Sequence, residues 1–135
     1  MQAAFLRVKL AVLDEWNECR REVAGQYFKF LASVDIDLPL VPEYAEPVWH
    51  LYVIRSKQRD TLKEHLKNQG VTTIIHYPVP PHRQACYQRF KGNNLPISDM
   101  LAGEVLSLPM SPDLEPVAVE RVANALLRAQ QLLGY

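Results

Sequence analysis

The 135-residue sequence contains only two cysteines, Cys19 and Cys86, which are too few for a disulfide framework or a cysteine zinc site. Its five glycines never cluster, so the sequence has no glycine-rich loop to hold the phosphates of a dinucleotide or triphosphate. No secretory signal opens the sequence, and no apolar run reaches the roughly 20 residues that a membrane-spanning helix needs. These absences predict a soluble protein in a reducing, cytoplasmic compartment.

An excess of charge of one sign is also missing, because fifteen Lys and Arg residues balance fifteen Asp and Glu residues. Domains that bind nucleic acid or anionic membranes usually carry a clear excess of positive charge. We therefore expect neither a nucleic acid nor a membrane as a partner of the whole domain. The length is sufficient for a single domain with a real hydrophobic core.

Apolar residues recur at three- and four-residue steps through the first 32 residues, which predicts one long amphipathic helix. They are Leu6, Leu10, Leu13, Val23, Tyr27, Phe30 and Leu31. Such a helix would be about 45 Å long and would extend beyond its own domain unless it bends near Gly25. We therefore expect residues 1–32 to pack on something else, either a second domain or a second subunit, and residues 33–135 to form a small α/β domain.

Segments with strand and helix patterns alternate through the rest of the chain. Strands are predicted at residues 48–56, 71–77 and 104–110. Helices are predicted at residues 60–69, 97–103 and from about 116 to 134, with a helical turn at 84–90 and a turn at 91–94. This order predicts an α/β or α+β two-layer fold with a small antiparallel or mixed sheet of about three strands.

The segment from residue 71 to residue 87 contains the best candidate for a binding site. Three prolines separate His76 and Tyr77 from His82, and prolines fix φ and remove N–H donors, so this segment should be stiff and extended. Side chains held in this way lose little entropy on binding and could donate hydrogen bonds to phosphate or sugar oxygens. The residue types alone leave open that Tyr77 is a half-buried aromatic residue and that both histidines are ordinary surface groups.

Two other kinds of chemistry in this region have less support from the sequence. A metal site built from His50, His76 and His82 would lack both a histidine pair four residues apart and an HExxH element. A nucleophilic pair of Cys86 and His82 would lack an identifiable carboxylate to orient the imidazole. We therefore predict neither a metal ligand nor a catalytic residue in this chain.

Four segments of the sequence form an ordered set of motifs. They read QAAFLRVKLAVLDEWNECRREVAGQY, VWHLYVIR, GVTTIIHYPVPPHRQACY and LPISDMLAGEVLSLPMSPDLEPVAVERVANAL. An IHYPxPxH loop followed by EVLSLP is the most specific part of this set. Together the segments resemble the C-terminal part of the DegT/DnrJ/StrS aminotransferases, and the resemblance covers essentially the whole chain.

The resemblance implies the small domain of the aspartate-aminotransferase fold and an enzyme that uses pyridoxal phosphate (PLP) to aminate nucleotide-linked keto sugars in amino-sugar or lipopolysaccharide biosynthesis. His76 and Tyr77 match the His-Tyr pair of the family's loop, which implies contact with the nucleotide sugar, often at a dimer interface. His82 matches the histidine that closes the motif and is a less direct candidate for the same role. Asp99 stands where the family usually has glutamate.

In the family, the Schiff-base lysine and most of the phosphate-binding groups lie in a large domain that precedes this part. The resemblance implies that the helix at residues 1–32 connects to this large domain. None of the six lysines in this sequence matches the family's lysine motif. The resemblance therefore implies a fragment or truncated product that is inactive alone and binds no PLP by itself. The alternative is a non-catalytic remnant that binds partners or self-associates through its first helix.

Overall fold

Helices outnumber strands in the structure, a computed structural model that describes residues 1–90 and 94–134. The helices are α1 (Gln2–Leu10), α2 (Leu13–Leu31), α3 (Arg59–Asn68), α4 (Pro96–Glu104) and α5 (Pro116–Leu133). The strands are β1 (Tyr52–Arg55) and β2 (Val105–Leu108), and two 3₁₀ segments, Pro81–Arg83 and Ala85–Phe90, lie between α3 and α4.

The N-terminal segment forms two helices, and the prediction of one long helix is wrong. Ala11 and Val12 separate α1 from α2 and interrupt the regular helical hydrogen bonding. Charges on both sides favour the break, because Arg7 and Lys9 lie in the last turn of α1 and acidic residues occupy the first turn of α2. Gly25, the bend position considered from the sequence, lies inside the unbroken α2.

The sheet in the described residues has two strands, where the sequence pattern predicts about three. β1 and β2 pair in antiparallel fashion, with Tyr52 opposite Leu108. The segment at 71–77, predicted as a strand, makes only one isolated bridge, between Ile74 and Ser107. The prolines that follow this bridge have no N–H to donate and cannot extend the pairing.

β1 is shorter than the predicted strand at 48–56. Trp49 has a φ of 51°, in the left-handed region, so the backbone is not extended at this residue. The indole of Trp49 still packs against the core, with its ring centroid 5.6 Å from that of Phe28 and 5.4 Å from that of Tyr52. The strand therefore begins only after this turn.

One face of the sheet and three helices form the hydrophobic core. Tyr52, Ile54, Leu106 and Leu108 lie on that face and are buried. α5 packs against both α2 and α3. Buried apolar side chains from the helices complete the core, namely Val23, Tyr27, Leu31, Leu62, Leu66, Val119, Val122 and Leu126. A small antiparallel sheet packed with helices confirms the predicted α/β class.

Several helix ends agree with the sequence prediction. α3 ends just before Gly70, which has a φ of 74°. α5 begins at Pro116 and ends just before Gly134, which is in the left-handed conformation. α4 and the 3₁₀ segment at Ala85–Phe90 correspond to the predicted short helix and helical turn. The predicted turn at 91–94 falls mainly on residues outside the described ranges.

α1 contributes no buried residue to the core, and α4 shares this feature. The large apolar side chains of α1, Phe5, Leu6, Val8 and Leu10, are all exposed. The C-terminal half of α2, in contrast, contributes to the core through Val23, Tyr27 and Leu31. The assignment of residues 1–32 as a connection to another domain stays a prediction. No helix within the described residues is long and apolar enough to cross a membrane.

Candidate functional site

The side of the sheet that faces away from the core carries the predicted loop. Side chains alternate along a strand, so Ser107 lies on the opposite face from its neighbours Leu106 and Leu108. Ile74 exchanges two backbone hydrogen bonds with Ser107, at 2.8 and 3.2 Å, and this bridge holds the segment that leads to His76 beside β2. The loop is thereby fixed at one end by the sheet.

His76 lies directly over β2 and is half-buried. Its Nδ1 lies 2.8 Å from the hydroxyl Oγ of Ser107, which is only 4% exposed. Among the described residues, no hydrogen bond is made by the other ring nitrogen, Nε2. The arrangement therefore orients the imidazole through one nitrogen and leaves the second for a ligand or for water.

Tyr77 follows His76 through a cis peptide bond and is directed toward solvent. Its side chain is 73% exposed, and its ring stands edge-on to the imidazole of His76, with the two centroids 5.5 Å apart and an interplanar angle of 89°. An exposed phenol can donate a hydrogen bond and stack on a base. The structure therefore places the rings of His76 and Tyr77 side by side, and their contact with substrate stays a prediction.

His82 is held in a different environment from His76 and Tyr77. Its side chain is only 9% exposed, and its Nε2 lies 2.9 Å from Oδ1 of Asp99 in α4. Arg83 also donates hydrogen bonds to both carboxylate oxygens of Asp99. The hydrogen bond from Arg83 is the main cause that lowers the pKa of Asp99 from its ordinary value, and His82 adds to the effect. This geometry suits His82 for anchoring the loop, and its contact with substrate stays a prediction.

The chain between these two anchors bends at Pro78 and Val79, where the sequence predicts a stiff and extended segment. Pro80 is extended, with φ of −65° and ψ of 153°, and the chain then turns through Pro81–Arg83. The side-chain amide of Gln84 donates a hydrogen bond of 3.2 Å to the carbonyl of Val79 and closes the loop across itself. The loop is thus held at one end by the contact of His76 with Ser107 and at the other by the contact of His82 with Asp99. The hydrogen bond from Gln84 to Val79 links its two halves.

Sequence reasoning missed two members of the site, Ser107 and Asp99. Ser107 interrupts the apolar pattern Leu106-Ser107-Leu108 of a strand, and a polar residue at such a position signals the face that is not packed on the core. Asp99 has no comparable signal, because an acidic residue in the first turn of a helix is explained by the helix dipole alone.

Two open grooves lie away from this loop. The larger, of about 450 Å³, contains Arg55, which lies 3.0 Å from Glu104 and 3.4 Å from Asp37. The smaller, of about 360 Å³, contains Arg121, which donates a hydrogen bond of 3.1 Å to the carbonyl of Gln69. These arginines are paired within the protein. No group of three or more His, Cys, Asp or Glu side chains that could hold a metal ion occurs in the described part of the chain.

The lysines of the described chain do not fit a Schiff-base position, which needs a shielded amine. Four of them are exposed and one is half-buried on a helix, namely Lys9, Lys29, Lys57, Lys67 and Lys63. Lys91, the sixth, lies outside the described residues. The described lysines therefore do not fit the Schiff-base position of a PLP enzyme, and no step through this cofactor is assigned to them.

Comparison with known proteins gives consistent matches. The model of the DegT/DnrJ/EryC1/StrS aminotransferase family matches residues 1–127. The dTDP-3-amino-3,6-dideoxy-alpha-D-galactopyranose transaminase of Aneurinibacillus thermoaerophilus is 42% identical over 128 residues, which are 95% of this chain and 35% of that protein.

Solved structures extend the comparison to the fold. DesV of S. venezuelae, solved in complex with a ketimine intermediate, matches with a TM-score of 0.90 and 41% identity over 95% of this chain and 35% of that chain. NtdA of Bacillus subtilis, solved with bound cofactor PMP, matches with a TM-score of 0.77 and 27% identity over 85% of this chain and 28% of that chain. The chain spans about a third of the length of the relatives it matches.

Proposed function

The chain belongs to the DegT/DnrJ/EryC1/StrS aminotransferase family, and we propose that it forms the C-terminal, small-domain part of a PLP-dependent enzyme that aminates nucleotide-linked keto sugars. In this proposal the enzyme works in the cytoplasm, on a pathway to amino sugars such as those of lipopolysaccharide. The chain contributes one wall of the substrate site, and the cofactor and its lysine come from the larger part of the enzyme.

The observation that carries this proposal is the presentation of His76 and Tyr77 side by side at the surface. His76 is oriented by Ser107, and Tyr77 is exposed next to it on a loop with fixed ends. Groups that are already ordered lose little entropy when a ligand binds. An imidazole and a phenol can both donate hydrogen bonds to phosphate and sugar oxygens, which a nucleotide sugar supplies in abundance.

The residues of this chain would act by binding and orientation. PLP, when bound to the complete enzyme, supplies an electron sink for amino transfer. His76 and Tyr77 hold the nucleotide sugar so that its keto carbon stays at the reacting centre, and Asp99 keeps the loop closed against α4 through Arg83 and His82. None of these residues takes part in a proton transfer in this proposal.

A chimera tests the proposal. The 128 matched residues of the Aneurinibacillus transaminase are replaced by the matching residues of this chain, and the same transaminase without those residues is the control. We expect the chimera to show PLP absorbance and to aminate its dTDP-linked keto sugar, whereas the control and this chain alone do neither. A chimera that is folded and binds PLP but has no transaminase activity would contradict the proposal.

The second candidate function is self-association through α1, as a homodimer or larger assembly. The observation that favours it is an apolar helix without a buried residue, since Phe5, Leu6, Val8 and Leu10 are all exposed. Helices that are apolar on most sides are normally covered by other protein. In this proposal the same helix surface joins copies of the chain when no other part of the protein covers it.

A further inference from the structure

The hydroxyl of Ser107 has a restricted choice of hydrogen-bond partner. Ser107 is almost fully buried, and its backbone N–H and C=O are already used by Ile74. Within the described residues, its hydroxyl has one partner, Nδ1 of His76 at 2.8 Å. A buried hydroxyl hydrogen without an acceptor is unfavourable, so the hydroxyl should donate to the lone pair of this nitrogen.

The direction of that hydrogen bond decides where His76 carries its proton. A neutral imidazole has one protonated and one unprotonated ring nitrogen. If Nδ1 accepts from Ser107, the proton must lie on Nε2. If Nδ1 carried the proton and donated to Oγ, the hydroxyl hydrogen of Ser107 would need another acceptor, and the described residues around it provide none.

We infer that Ser107 is a positioning residue that holds His76 as the Nε2–H tautomer, so that the loop presents a hydrogen-bond donor to a phosphate oxygen of the nucleotide sugar. The tautomer follows from the hydrogen bond in this chain, whereas the identity of the ligand oxygen rests on the proposed function. The opposite tautomer would direct the lone pair of Nε2 at the negatively charged diphosphate and would repel it.

Nitrogen NMR of the neutral side chains at pH 8.5 tests the tautomer in this chain alone. We expect the ¹⁵N shifts of His76 to show a protonated Nε2 and an unprotonated, accepting Nδ1. Exposed His50 serves as the internal reference for an averaged mixture of both tautomers. In Ser107→Ala, His76 should move to such a mixture, and Ser107→Thr, which keeps a hydroxyl, should restore the single tautomer. The inference would be overturned if His76 of the unsubstituted chain had a protonated Nδ1, or if it showed the same mixture of tautomers as His50.

Kinetics of the chimera test the consequence for binding. Ser107→Ala should raise the KM for the dTDP-linked keto sugar about tenfold, with kcat within about twofold and PLP absorbance unchanged, because one hydrogen bond to a charged group is weakened. Ser107→Thr and the exposed control Ser33→Ala should keep the original KM. A changed tautomer with an unchanged KM would overturn the positioning role.

The two measurements separate the inference from the proposed function. If the chimera binds PLP and has no activity, the nucleotide-sugar proposal fails, but the NMR result still decides whether Ser107 fixes His76. If the chimera is active and His76 shows no preferred tautomer, the proposed function is supported and the role of Ser107 is refuted.

Discussion

Arg83 and Asp99 form a two-point ion pair, with Nε 3.0 Å from Oδ1 and Nη2 2.6 Å from Oδ2. The planar guanidinium matches the carboxylate, and paired contacts of this kind fix geometry as well as charge. His82 approaches the same Oδ1 at 2.9 Å. One carboxylate in α4 therefore secures the far end of the loop that presents His76 and Tyr77.

Removal of the guanidinium should change how Asp99 titrates. The hydrogen bond from Arg83 is the main cause of the lowered pKa of Asp99, so Arg83→Gln should raise that pKa toward its ordinary value of 3.8. Carboxylate NMR titration measures this directly. Asp113 is the control, because its pKa is lowered chiefly by the hydrogen bond from Ser111 and should not respond. An Asp99 pKa that stays low in Arg83→Gln would assign the shift to another cause.

The lowered pKa of Asp99 also predicts the direction in which stability changes with pH. The pKa of Asp99 is lower in the folded chain than in the unfolded chain, so its pairing stabilises the fold fully above the ordinary value of 3.8. The contribution is lost as the pH falls below that value and through the folded-state pKa. Urea unfolding should be compared at neutral pH and below pH 3.8. We expect the free energy of unfolding to fall less between these two conditions in Arg83→Gln than in the unsubstituted chain.

Gly70 is expected to be intolerant of a side chain. Its φ is 74°, and a Cβ at this position would lie 2.6 Å from Nη2 of Arg121. A left-handed conformation costs a residue with a side chain about 1–2 kcal/mol, so Gly70→Ala should lower the free energy of unfolding by at least this amount. The matched control is Gly25→Ala in α2, where a Cβ meets nothing within 4 Å. It should raise stability by about 0.5–1 kcal/mol in urea unfolding. Equal effects of the two substitutions would contradict this explanation.

Two core tyrosines should respond differently to loss of their hydroxyl groups. Tyr27 donates a hydrogen bond of 2.8 Å to the carbonyl of Pro109, whereas the buried hydroxyl of Tyr52 has no partner among the described residues. Burial raises the pKa of both phenols, so neither is ionised at neutral pH. Tyr27→Phe should destabilise the fold by about 1 kcal/mol, and Tyr52→Phe should leave stability unchanged or raise it. Thermal and urea unfolding compare them, and a larger loss for Tyr52→Phe would refute the distinction.

The second candidate function is tested by one charge placed on α1. Leu10 is 67% exposed and Leu132, at the end of α5, is 73% exposed, so Leu132→Lys is a control with the same residue change and similar exposure. If α1 joins copies of the chain, Leu10→Lys should shift sedimentation toward the monomer, because burying the ammonium is unfavourable. Leu132→Lys should leave the distribution unchanged. A monomeric unsubstituted chain at high concentration would eliminate self-association through α1.

The parts of the fold that sequence reasoning predicts well depend on local signals. Pro116 and Gly134 define the two ends of α5, and Gly70 defines the end of α3, because each residue has a conformational preference that acts where it stands. The break between α1 and α2 was missed because the apolar spacing runs through Ala11 and Val12 without a change of period.

The site was predicted only in part for a related reason. The prolines identified the loop with His76 and Tyr77, but the residues that hold it are distant in sequence. Ser107 lies 31 positions after His76, and Asp99 lies 16 positions after Arg83. Such contacts depend on how the sheet and α4 pack, and a single sequence does not encode them in a readable pattern. The sheet is also smaller than predicted, because Ile74 pairs with Ser107 for one residue only.

The most direct test of the central claim is the KM of the chimera for its dTDP-linked keto sugar after His76→Ala and Tyr77→Ala. Each substitution should raise KM about tenfold to a hundredfold, because a hydrogen bond to a charged group contributes about 1.5–3 kcal/mol. PLP absorbance should stay unchanged, and the exposed control His50→Ala should leave KM as it is. Unchanged KM values for both loop variants, in a chimera that remains active, would contradict a role for His76 and Tyr77 in binding the nucleotide sugar.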